Sequence, residues 1–231
     1  MKNNNKFRLD VWGAITLGTI ALYALFLLYP MAYLIRQSVL DPDTGSFTLA
    51  YFTKFFSKSY YFDTLINSFK VSITATVLSI AIGTPLAYLF TIFKIKGKSV
   101  LNILIVVASM SAPFIGAYSW ILLLGRSGII TTFFKNLGIA IPDIYGFGGI
   151  VLVMTLQLFP LVFLYAKGAL KNIDNSLIEA AENLGCSGIA CFFKVVVPLI
   201  MPTLLAAALL VFMRSFADFG TPMLIGEGYR T

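Results

Sequence analysis

VSITATVLSIAIGTPLAYLFTIF, Val71–Phe93, runs for 23 residues without a charged side chain. A helix needs about 20 apolar residues to cross a hydrocarbon core near 30 Å thick, so this run alone is long enough to span a bilayer. Four more charge-free runs accompany it: Val11–Ile35, Ser99–Gly125, Ile144–Ala166 and Val195–Met213, the last at the lower limit of length. Lipid cannot satisfy the backbone groups of an open sheet edge, so the runs read as helices. The fold class is all-α, a polytopic bundle with five spans near residues 11–35, 71–93, 99–124, 145–166 and 195–214. Residues 1–10 read as a cytoplasmic tail and 11–231 as one transmembrane domain.

Composition agrees. The 231 residues are 58% hydrophobic and 12% charged, against about 45–50% apolar and about 25% charged in an average soluble domain. Lys2, Lys6 and Arg8 precede the first run as they would in a signal peptide. That run is longer than the roughly 7–15-residue core of a signal peptide, and Tyr29-Pro30-Met31 offers no small-residue cleavage site, so it reads as a retained anchor. The formal charge of +7 is scattered at span ends, which argues against nucleic-acid binding. Cys186 and Cys191 are five apart in a chain without histidine and match no zinc pattern, so no metal site, cofactor or catalytic group is expected. Gly97-Lys98-Ser99 resembles the end of a phosphate-binding loop, but Ile92 stands where its first glycine belongs.

Orientation follows from lysine and arginine density. Lys94, Lys96 and Lys98 crowd five positions between the second and third runs, whereas the link after the first run spreads its charges among Asp41, Asp43 and Asp63. Dense basic charge in a short loop marks the cytoplasmic side. The N-terminus and the link between the fourth and fifth runs then share the cytoplasm.

That link is long and carries its own helix signals. Ser176-Leu177-Ile178-Glu179 has the form of a capping box, and Gly185 stands where a helix ends in a left-handed residue, so a helix is expected over Leu177–Leu184. Leu177, Ala180, Ala181 and Leu184 share one face, with Glu179, Glu182 and Asn183 turned elsewhere. A helix this short is unstable alone. Acidic and alanine-rich, it differs from helices that lie on headgroups, which carry Lys, Arg and large apolar residues. Docking to a cytoplasmic protein is the expectation.

Glu179-Ala180-Ala181, three residues, Gly185, nine residues, then Val195-Val196-Val197-Pro198 resembles the EAA signature of permease subunits of bacterial binding-protein-dependent ABC importers. The family prefers isoleucine and leucine at the positions of Val195 and Val197. The resemblance extends to Asn67-Ser68 and to Pro198 and Pro202. It implies a type I ABC importer permease in the bacterial inner membrane, in which segment 167–198 forms a coupling helix. Glu179, Ala180, Ala181, Leu184 and Gly185 would then form the ATPase contact. It also implies the partners: cytoplasmic ABC ATPase subunits, an extracytoplasmic solute-binding protein and a second permease half. The chain would not itself be an enzyme.

Ala75, Ser79, Gly83 and Ala87 recur every fourth position, a stripe that lets membrane helices pack closely. Pro113 and Pro160 are expected to kink the third and fourth spans. No ionisable residue lies inside a run, which disfavours the alternative of an ion-coupled secondary transporter or channel. Arg214 and Asp218, four apart near the outer interface, are positioned to pair and are candidates for an outer gate, although an arginine snorkelling from the last turn is the favoured account of Arg214. The stretch "SFADFGTPMLIG", Ser215–Gly226, looks like that of ferric-iron permeases, and less closely like those for polyamines, thiamine or phosphonates. The family core ends with a further span, so a continuation beyond Thr231, through a further span and a second half, is the expectation.

Overall fold

The computed structural model describes residues 11–41, 44–93, 96–139, 142–186 and 188–231. The expected cytoplasmic tail and Lys94 lie outside the described residues. Among the described residues the chain is helical, with one isolated antiparallel bridge between Leu40 and Phe47. Five helical segments are long and apolar enough to cross a membrane: Val11–Val39, Ser59–Ile92, Pro113–Asn136, Phe147–Lys171 and Gly188–Phe216.

The chain divides into two units, Met1–Phe62 and Asp63–Thr231. In the first, α1 (Val11–Val39) includes a π-helical turn at Ala24–Leu28 and buries none of its residues. A short α2 (Ala50–Ser57) follows, and Phe55 stacks on Tyr61 with ring centroids 5.4 Å apart.

The second unit holds most of α3 (Ser59–Ile92), then α4 (Lys98–Ser109), α5 (Pro113–Leu124), α6 (Ile129–Asn136), α7 (Phe147–Lys171), α8 (Asn175–Asn183), α9 (Gly188–Phe216) and α10 (Gly220–Ile225). Helix α7 is the spine, packing against α4, α5, α9 and α10. One apolar cluster joins Ala87 and Phe90 of α3 to Val162 and Phe163 of α7 and Val196 and Ile200 of α9. A second joins Val71 and Ala75 to Ala117, Ile150, Met154 and Ile225 at the other end of α7. The small-residue stripe of α3 is buried: Ala75, Ser79, Gly83 and Ala87 all face inward. That is the close approach such residues permit where lipid supplies no hydrophobic drive.

The third run departs from expectation. It is two helices, broken at Met110-Ser111-Ala112, and not one span kinked at Pro113. Proline disfavours the α conformation in the residue before it, and Ala112 is extended at φ −68°, ψ 141°. Pro113, lacking an N–H, becomes the first residue of α5, where no intrahelical donor is needed. Pro160, by contrast, remains inside an unbroken α7. The fifth span begins earlier than its charge-free run, because Gly188–Lys194 are helical and a π-turn at Phe192–Val196 carries the chain into the apolar part.

Candidate coupling helix and polar cavity

Helix α8 starts two residues before the expected Leu177. Asp174 initiates it: its Oδ1 accepts from the Ser176 N–H at 3.0 Å and its carbonyl from the Leu177 N–H at 3.1 Å. Those two backbone bonds need an acceptor ahead of the first turn, a role for which Asp174 is placed and Ser176, already inside the helix, is not. The Ser176 N–H, with help from the Ser176 hydroxyl, holds the Asp174 carboxyl below its ordinary pKa. At the other end Gly185 is left-handed at φ +84°, and the Cys186 N–H donates to the Ala181 carbonyl at 3.0 Å. This is the closing bond of a glycine-terminated helix.

Ile178 packs against the inner apolar cluster and anchors the helix. The EAA face does not pack inward. Ala180 and Glu179 are exposed, Ala181 is half-buried, Leu177 is 50% exposed and Leu184 is 89% exposed. An anchored helix thus presents an apolar strip that its own chain leaves uncovered.

Arg214 and Asp218 do not pair. Asp218 is engaged in turning the chain into α10: its Oδ1 accepts from the N–H groups of Gly220 at 2.8 Å and Thr221 at 3.3 Å, and its Oδ2 from the Thr221 hydroxyl at 2.6 Å. Three local donors outcompete one arginine on a flexible stem. Both residues nevertheless line one 450 Å³ cavity, with Ser109 and Ser111 at the α4–α5 break, Pro113 and Phe114 of α5, and Gln157 of α7. The Gln157 side-chain amide donates to the Pro113 carbonyl at 3.4 Å, joining α7 to the start of α5.

Residues 46–231 match the family described as binding-protein-dependent transport system inner membrane component. The chain belongs to that family. It is a multi-pass component of the bacterial inner membrane and resembles ABC importer permeases close to those of ferric transport. It is 28% identical to the ferric transport system permease protein of Actinobacillus pleuropneumoniae, over 99% of this chain and 33% of that one. It is 29% identical to the spermidine/putrescine transport system permease protein of Haemophilus influenzae, over 96% of this chain and 79% of the relative. The chain spans a third of the length of the ferric permeases it matches. The fold is that of a bacterial ABC transporter importing alginate, with a TM-score of 0.69 at 17% identity over 95% of this chain and 78% of the other.

In this family member, residues far apart in sequence meet at the end of the second unit opposite α8. The Arg126 guanidinium bonds Asp143 at 3.1 Å and Glu227 at 2.9 Å and lies 4.8 Å from the Tyr145 ring centroid. Asn67 donates to the Arg230 carbonyl at 2.9 Å, so the resemblance at Asn67 falls on a residue that ties α3 to the last turn of the chain. Sequence reasoning missed Gln157 and the serines of the α4–α5 break. Their only local signal was a polar residue inside an apolar run.

Proposed function

We propose that this chain forms one half of the solute pathway of an ATP-driven importer and receives the stroke of a cytoplasmic ATPase through α8. The single observation that carries this is the uncovered strip of Leu177, Ala180 and Leu184 on a helix anchored from behind by Ile178. An apolar strip on a capped, docked helix is stable only against a partner surface. Small side chains at Ala180 and Ala181 let a groove wall come close.

Glu179 and Gly185 complete the contact, the first at the exposed shoulder of the helix, the second as its left-handed stop. A separate extracytoplasmic protein delivers the solute, and a second permease half closes the pathway. Hydrolysis belongs to the ATPase, and this chain is not an enzyme. Ferric iron is the solute we assign, from the likeness of Ser215–Gly226 to ferric permeases. The polyamine permease at equal identity supports a second reading with the same mechanics.

The test is ATP-driven uptake by proteoliposomes holding the complete transporter. Ala180→Trp is the chosen variant because Ala180 is exposed, so the bulk meets a partner and not this chain's own packing. We expect the variant to insert, accumulate and lose uptake. Undiminished uptake, or uptake driven by an ion gradient without ATP, overturns the proposal.

A further inference from the structure

Helix α9 ends deep in the second unit. The Ser215 hydroxyl donates to the Met154 sulfur at 3.2 Å, and both residues are buried. Arg214, one residue earlier, lines the same cavity as Gln157 and Leu158. Gln157 is the eleventh of the 25 residues of α7, which sets it about 15 Å along that helix from Phe147. Arg214, exposed in the last turn of α9, therefore faces a cavity that reaches ten residues into a membrane-spanning helix. A charge on a cavity that enters the membrane-spanning helices marks a solute path.

The charges of the cavity are unequal in availability. Asp218 spends both oxygens on three local donors. Among the described residues no ion pair or hydrogen bond holds the Arg214 guanidinium, and the other lining side chains are neutral: Ser109, Ser111, Gln157, Phe114 and Phe219 among them. The free capacity is thus a planar fork of N–H donors, the geometry that grips carboxylate or phosphate oxygens two at a time. A volume of 450 Å³ suits a small solute.

We propose that this cavity receives the oxyanion groups of the solute on Arg214. The chain then passes a small carboxylate- or phosphate-bearing anion, either free or wrapped around a ferric ion as an anionic oxygen chelate, and not a polyamine cation. Arg214 offers a polyammonium ion only like charge, and the Asp218 carboxylate, which keeps its charge, has its oxygens held by three local donors. This rests on the pathway role proposed above and names the class of solute that uses it.

Proteoliposomes with the complete transporter are given labelled ferric citrate, labelled citrate without iron, or labelled spermidine. ATP-driven uptake of ferric citrate identifies the chelate as the source of the oxyanions, and uptake of citrate alone identifies the free anion. In either arm Arg214→Gln lowers uptake at least tenfold, and Arg214→Lys restores part of it. Complex assembly and the Tm in detergent stay at the parent level in both variants, which separates loss of the charge from loss of the fold. Spermidine uptake, anion uptake indifferent to Arg214→Gln, or uptake of neither anion overturns the proposal. If ATP still drives transport in those cases, the pathway role survives and the anion assignment alone has failed.

Discussion

A Cβ placed on Gly83 of α3 would stand 2.8 Å from the Val162 Cβ and 2.9 Å from the Phe159 carbonyl oxygen of α7. The helices touch backbone to side chain at this point because position 83 has no side chain, and Ala75, Ser79 and Ala87 continue the contact on either side. Gly83→Leu has no room to enter without separating α3 from α7. Overpacking of this kind costs about 1–3 kcal/mol. The expected outcome is a lower Tm in detergent for Gly83→Leu and no comparable change for Gly18→Leu, since nothing lies within 4 Å of a Cβ at Gly18.

Asp174, not Ser176, should control α8. Asp174→Ala removes the acceptor for the Ser176 N–H and should raise hydrogen exchange across the first turn of the helix, whereas Asp174→Asn keeps an acceptor and should preserve most of the protection. Ser176→Ala, which removes only the hydroxyl bond to the Asp174 carboxylate, should have a much smaller effect. Equal effects from Asp174→Ala and Ser176→Ala would restore the capping-box reading.

The same cap has a pH signature. The folded-state pKa of Asp174 lies below its ordinary value because the Ser176 N–H bond favours the charged form. Its contribution is therefore complete above the ordinary carboxylate pKa and is lost as pH falls through the lowered one. Protection in the first turn of α8, corrected for intrinsic exchange, should hold from neutral pH down to about pH 4 and decline only below it. A decline already centred near pH 6 would point to a different group.

Sidedness is tested by single cysteines at Thr44 and Ser99 in a background lacking Cys186 and Cys191. Both positions are exposed, so labelling reports access and not burial. An impermeant thiol reagent outside intact cells should label the cysteine at Thr44 and spare the one at Ser99. The opposite pattern reverses the orientation of every helix.

The number of spans, the all-α class and a short helix ending at Gly185 were legible in the sequence because each depends on composition or on neighbours within one or two turns. A charge-free run of 20 residues and a glycine able to take φ +84° carry their meaning locally. Even the buried stripe of α3 is a one-helix pattern.

What faces what was another matter. That the third run breaks at Ala112, that Ile178 and not the EAA face holds α8 to the bundle, and that Arg214 and Gln157 line one cavity are outcomes of helix packing. Sequence spacing pairs Arg214 with Asp218 because they stand four apart on an assumed continuous helix. Tertiary structure ends that helix at Phe216, turns the chain, and commits Asp218 to Gly220 and Thr221. The physical reason is one of reach: a spacing rule holds only while the helix does, and where a helix stops is decided by the groups that satisfy its end.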